Sequence, residues 1–183
     1  MIYPIVAFGH PVLKQRAVEI ENGSDVIELA ADMFATMENA QGIGLAAPQI
    51  GKSVRIFVVD GAPLEEDDML DFRKIFVNPT ILEEFDDEWA FEEGCLSIPG
   101  IRENVSRNGK LRIKYFDENW VEHEEEYDGM KARIIQHEYD HLEGILFTDH
   151  ISSFKKRLLK GKLANISKGN VPVDYRMTFP QRK

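Results

Sequence analysis

Two histidines four residues apart constrain this chain more than any other feature: His137-Glu138-Tyr139-Asp140-His141. On an α-helix, positions i and i+4 share a face, so both imidazoles reach one metal ion only if a helix forms here. Glu138, beside them, is then a candidate general base for a metal-activated water. The local sequence supports the helix. Asp128-Gly129 marks a loop, after which Met130, Ile134, Ile135, His137, His141 and Leu142 recur at helical spacing, and Gly144 ends the run. The motif alone is short enough to arise by chance, or as two part-buried histidines each satisfied by a carboxylate or a carbonyl. A third ligand and an open coordination position decide between these readings.

The chain has a single cysteine, Cys95, within Glu93-Gly94-Cys95-Leu96-Ser97. A lone cysteine forms no internal disulfide, which fits a reducing compartment. Its bland reading is a small buried hydrophobe. Against that, Gly94 permits close backbone approach, and the segment lies between two expected strands, where a loop can carry a ligand. One thiolate and two imidazoles leave a fourth position for water, as in a catalytic rather than a structural site. Zinc proteases with this helix motif take their third ligand downstream, but His150 is too far along for the metzincin spacing and Glu143 too close to His141. Cys95 is the better third ligand.

Three segments together resemble a peptide deformylase: Gly42-Ile43-Gly44-Leu45-Ala46-Ala47-Pro48-Gln49, then Glu93-Gly94-Cys95-Leu96-Ser97, then Gln136-His137-Glu138-Tyr139-Asp140-His141-Leu142. Each is weak to moderate alone; their joint occurrence in this order, in 183 residues, is highly specific. The resemblance covers approximately residues 1–150, including Pro4-Ile5-Val6 and Pro11-Val12-Leu13, and fades beyond. It implies a metal-dependent hydrolase that removes the formyl group from the formyl-methionine of newly synthesised polypeptides. The step implied is attack by a metal-bound hydroxide, with Glu138 as general acid and base. The ligands would be Cys95, His137 and His141 around one divalent ion. That set suits zinc, nickel, cobalt or ferrous iron, and the resemblance favours ferrous iron in the cell.

The resemblance also assigns the Gln49 side-chain amide and the Leu96 backbone N–H to the charge developing on the formyl oxygen. It places Ile43, Met130, Ile134 and the His137 ring around an apolar slot for methionine. Ile43, Gly44 and Gly94 would pair with the peptide backbone, and Arg133 stands at a position that is apolar in some relatives, at the pocket rim.

Gly42-x-Gly44-x-x-Ala47 also matches a dinucleotide-binding fingerprint, with Asp60 ending a strand-like run at a suitable distance. Its context refuses the match. An amphipathic helix precedes it, carried by Val26, Ala30, Met33, Met37 and Ala40 with Ser24 as N-cap. Pro48 and Gly51 leave no room for a helix before the strand-like run Val54 to Val59. No nucleotide cofactor is expected. The glycines suit instead a peptide laid against the backbone as an added strand.

Strand signals fill the middle: Val54 to Val59, Ile75 to Val77 with Ile81-Leu82, Trp89 to Phe91, and Leu111 to Tyr115. Asp117-Glu118-Asn119 reads as a turn into a further strand from Trp120 to Tyr127, and Glu65 to Asp68 as a solvated acidic loop. The expected fold is α+β: antiparallel sheets packed around a central metal-binding helix, with an N-terminal helix and a C-terminal helix plus extended tail. One catalytic domain is expected over residues 1–183, a core over 1–150 and a basic segment over 151–183.

The absence of a membrane-length apolar run and of a signal segment points to the cytoplasm and away from membranes. Charge is unevenly spread. From Ile151 onward nine basic residues (among them Arg182 and Lys183) face one acidic, Asp174, giving +8 and leaving −18 on residues 1–150 of a net −10. A helix from about Ser152 to Ser167, apolar at Phe154, Leu158, Leu159 and Leu163, would present its own Lys and Arg on the outer side, and Val171 to Phe179 reads as an extended edge strand. The bland reading is neutralisation of an acidic body. The sharper one is docking on ribosomal RNA phosphates, close to nascent chains. Two other classes compete with the deformylase: a metallopeptidase of the His-Glu-x-x-His type, and a ribosome-associated binding protein with a structural metal.

Overall fold

A computed structural model describes residues 1–180. Strand β1 (Ile5–Val6) leads through a short 3-10 turn to helix α1 (Ile27–Asn39), then β2 (Gly44–Ala46) and β3 (Ile56–Asp60). Two long strands follow, β4 (Arg73–Cys95) and β5 (Ile98–Phe116), then β6 (Glu122–Asp128), helix α2 (Gly129–Leu142), helix α3 (Ser153–Ser167) and β7 (Met177–Thr178). Strands β2 to β6 form one five-stranded antiparallel sheet in sequence order. β1 and β7 form a separate parallel pair. The fold is α+β, as expected.

Strand β3 shows why the sheet sits where it does. All five of its residues are buried, because both faces are covered. Phe57 and Val59 face the cluster that contains Ala132, Ile134, Ile135 and Leu142 of α2. Ile56 and Val58 face Ala30, Met33, Phe34 and Met37 of α1. The period of two along a strand thus sends alternate residues to two helices. Phe57 stacks on Phe76 with ring centroids 4.6 Å apart, and both are fully buried. Truncating either to alanine would cost about 3–5 kcal/mol.

Helix α2 is wrapped on nearly every side, so even its polar Gln136, Glu138 and His141 are buried. β6 runs into it without an intervening loop, and the expected loop at Asp128-Gly129 is only the joint between strand and helix.

Several local expectations need correction. Helix α1 starts at Ile27, too late for Ser24 to cap it; the Asp25 carboxylate accepts the Ile27 N–H instead, and the Ser24 carbonyl accepts from the Trp120 indole. Val54 makes only an isolated bridge to Val18, and the strand begins at Ile56. Helix α3 has the expected span, with the Ser152 hydroxyl accepting from the Lys155 N–H. Its inward stripe, however, is Leu159, Leu163 and Ile166, at spacings of four and three. Phe154 and Leu158 fall off that stripe and are 61% and 65% exposed. Among the described residues of the tail, only Met177 and Thr178 pair, and they join β1 rather than the edge of the main sheet. Arg182 and Lys183 lie outside the described residues.

Candidate metal centre

β4 and β5 form a long hairpin whose last paired residues are Cys95 and Ile98, with Leu96-Ser97 as its tip. The tip lies against α2, so the Cys95 thiol meets the two histidines of the helix. The ligand atoms of Cys95, His137 and His141 all lie within 4.8 Å of one another. Cys95 Sγ is 3.4 Å from His141 Nε2, and the two imidazole planes stand at 75°.

The donors fit a cation. His137 Nδ1 is held 2.9 Å from Glu93 Oε1, which leaves Nε2 for the centre. Burial, with His137 close by, holds His141 neutral and brings its pKa down to about 3, the state in which an imidazole can ligate. Burial alone would also lower His137, but its neighbours Cys95 and Glu93 outweigh it and favour positive charge at this spot. A bound cation would supply that charge.

Behind the histidines lies a compact ion network. Arg107 donates through Nε and Nη2 to the two Glu93 oxygens at 2.8 and 3.0 Å, and through Nη1 to Asp140 at 2.8 Å. Arg133 Nη1 donates to Glu93 at 2.8 Å and to the Val105 carbonyl at 2.9 Å. Burial alone would raise the Glu93 pKa, yet the bonds from His137 and Arg107 hold it far below the usual carboxylate range. Arg133 therefore differs from a pocket-rim residue. It borders the cleft, but it is buried, and its guanidinium also lies over the Trp89 ring, 4.4 Å from the centroid.

Two further polar side chains line the same cleft as Cys95 and His137. Glu138 is 4% exposed, and one of its oxygens has no hydrogen-bond partner. Burial is the main cause that pushes its carboxyl up to about 7. Gln49 is fixed at both ends: its Oε1 accepts the Ala46 N–H at 2.9 Å, and its Nε2 points to Cys95 Sγ at 3.4 Å and Ser97 Oγ at 3.3 Å.

An open cleft of about 930 Å³ reaches this centre. Ile43, Gly44, Gly94, Met130 and Ile134 all line it, together with Gln49, Leu96 and Glu138; His141 lies beneath the floor. The glycines have reasons within the chain itself. A Cβ on Gly42 would sit 2.7 Å from Leu96 Cδ1, so this glycine makes room for the hairpin tip. Sequence reasoning missed Glu93, Arg107, Ser97 and Tyr175. Glu93 stands in the same short segment as Cys95, but nothing local names His137 as its partner. Tyr175, whose hydroxyl meets the Leu96 carbonyl, carried no signal.

Comparison with known proteins places the sequence and the fold in one family. Residues 2–157 match the family model described as polypeptide deformylase. The peptide deformylase of Cytophaga hutchinsonii is 61% identical over 184 residues, covering 100% of each chain. That of Christiangramia forsetii is 54% identical over 193 residues, covering 100% of this chain and 98% of its own. Among solved structures, the peptide deformylase of Thermus thermophilus superposes with a TM-score of 0.84 at 36% identity, over 93% of this chain and 100% of that one. That of Legionella pneumophila gives 0.81 at 36% identity, over 93% and 98%. With sequence and fold in agreement, the chain belongs to the peptide deformylase family of enzymes.

Proposed function

We propose that this protein hydrolyses the formyl group from the N-terminal formyl-methionine of newly made polypeptides, as one catalytic domain acting in the cytoplasm. The observation that carries this reading is the convergence of Cys95, His137 and His141 within 4.8 Å beneath a cleft bordered by Gln49 and Glu138. The three ligands would hold one divalent cation, ferrous iron in the cell, with zinc, nickel or cobalt able to take its place. When bound, such a cation supplies Lewis acidity and lets water act as a nucleophile near neutral pH.

The chain's own groups do the remaining work. Glu138 removes a proton from the attacking water and returns it to the departing amine as the formyl C–N bond breaks, giving formate and a free N-terminus. A carboxyl poised near neutrality suits both transfers. The Gln49 Nε2 amide and the Leu96 N–H are donors for charge gathering on the formyl oxygen. Gln49 is prepared for this because its carbonyl end is already spent on Ala46. Ile43, Met130 and Ile134 offer apolar surface to the methionine side chain. Gly44 and Gly94 leave backbone open to a peptide strand, which selects little among later residues.

Helix α3 fits a further part of this reading. Lys156, Arg157, Lys160 and Lys162 are exposed on it, and we assign them to phosphate contacts on the ribosome. Among the described residues, no helix is long and apolar enough to cross a membrane.

The test is formate release from formyl-Met-Ala-Ser by protein purified without oxygen and supplied with ferrous iron or nickel. Rapid release supports the reading. No release at one equivalent of bound metal rejects it.

A further inference from the structure

The C-terminal tail returns to a site that nothing in its own residues announced. Pro172, Val173, Asp174 and Tyr175 border the cleft. The Tyr175 hydroxyl donates to the Leu96 carbonyl at 2.7 Å, across 79 residues of chain. The Tyr175 ring packs against the cluster between α1 and the sheet. Just beyond, the tail is fastened to β1: the Ile5 N–H donates to the Arg176 carbonyl at 2.8 Å and the Ala7 N–H to the Thr178 carbonyl at 2.9 Å. The same segment continues to Phe8, whose N–H donates to the Ser97 carbonyl at 2.9 Å.

Both carbonyls of the hairpin tip therefore have anchors outside the hairpin. Ser97 is held from the end of β1, and Leu96 is held by Tyr175. The hairpin itself fixes its tip poorly, because the β4–β5 register slips between Gly94 and Cys95 just before the turn. We propose that Tyr175 is a positioning residue for deformylation: by holding the Leu96 carbonyl, it fixes the turn that aims the Leu96 N–H and carries the Cys95 thiol. The tail is then a working part of the site. This rests on the reaction proposed above.

The bond is internal to the protein and present without substrate, so its loss leaves substrate contacts in place. What changes is the freedom of the Leu96 peptide to rock between the remaining holds at Cys95 and Ser97. A donor aimed at developing charge is effective only while its geometry is fixed in advance. The loss therefore falls on kcat more than on KM.

Tyr175→Phe removes the hydroxyl and keeps the packed ring. With one equivalent of nickel bound and formyl-Met-Ala-Ser as substrate, kcat should fall about three- to tenfold, the factor for one neutral hydrogen bond. KM should stay within about twofold, with metal content and thermal midpoint close to those of the unaltered protein. Amide hydrogen exchange should quicken at Phe8, whose N–H is held by the Ser97 carbonyl of the same turn. An unchanged kcat in an active enzyme overturns the proposal, as does a fall in kcat matched by metal loss or a lower midpoint. If the unaltered protein releases no formate, the reaction reading has failed by itself. Exchange at Phe8 then still judges the positioning role, and unchanged protection there in Tyr175→Phe overturns it.

Discussion

Gly44 and Glu138 interlock: a Cβ added to Gly44 would lie 2.4 Å from Glu138 Oε1 and 2.8 Å from the carboxyl carbon. The floor of β2 is thus shaped around the side chain assigned to proton transfer. Gly44→Ala should displace that carboxylate while leaving the buried sheet intact. Formate release should fall by at least about tenfold, in line with the sensitivity of catalytic groups to small misplacements. Circular dichroism and metal content should stay as they are. Full turnover in Gly44→Ala would show that Glu138 need not occupy its observed place.

Glu138→Gln keeps the shape and removes the proton acceptor. It should bind one equivalent of metal and lose about 10²–10⁴ in kcat, the usual contribution of general acid–base catalysis. Cys95→Ala should instead lose the metal itself, measured by atomic absorption after dialysis.

Gln49→Ala should lower kcat by about 10²–10³, the typical loss for one preplaced donor. Because the Gln49 amide also contacts Cys95 Sγ and Ser97 Oγ, metal content must be measured alongside. A rate equal to that of the unaltered protein, with metal retained, would remove Gln49 from the mechanism.

Arg107→Leu should destabilise the fold by about 3–5 kcal/mol, since it leaves buried Glu93 and half-buried Asp140 short of a partner. Urea denaturation of the metal-loaded protein measures this. Arg133 still pairs with Glu93, so His137 should keep its orientation and the protein should keep part of its metal affinity.

Acid should loosen the β5–β6 turn. Slight burial would raise the Asp117 pKa, but His123 and the N–H groups of Val121 and Asn119 outweigh it and hold the carboxyl below its ordinary value. A depressed folded pKa gives stability that is full above the unfolded value of about 3.9 and is lost as pH falls through the folded value. Amide exchange at Asn119 and Val121 should therefore quicken in that acid window, and Asp117→Asn should flatten the dependence.

The parts of this molecule legible in its sequence are those coded locally. Helix α2 announced itself because ligand spacing and apolar spacing coincide on one period, and α3 began where Ser152 could cap it. The arms of the β4–β5 hairpin were only glimpsed, because Glu83 to Glu88 is mostly acidic and three register shifts interrupt its alternation before the tip region. Phe154 and Leu158 misled because an apolar residue on a helix need not face its core. The meeting of Arg133 with Glu93, and of Tyr175 with Leu96, depends on how distant segments pack, and no local pattern encodes either.

The parallel pairing of β1 with β7 also bears on how a new molecule comes to life. Residues 5–6 can find residues 177–178 only after nearly the whole described chain has been made, and contacts this remote are slow to form. The histidines of α2 and the arms of the hairpin can be in place earlier. The Leu96 carbonyl at the tip takes its hold from the same late segment, so that bond is among the last that a chain still being made can form.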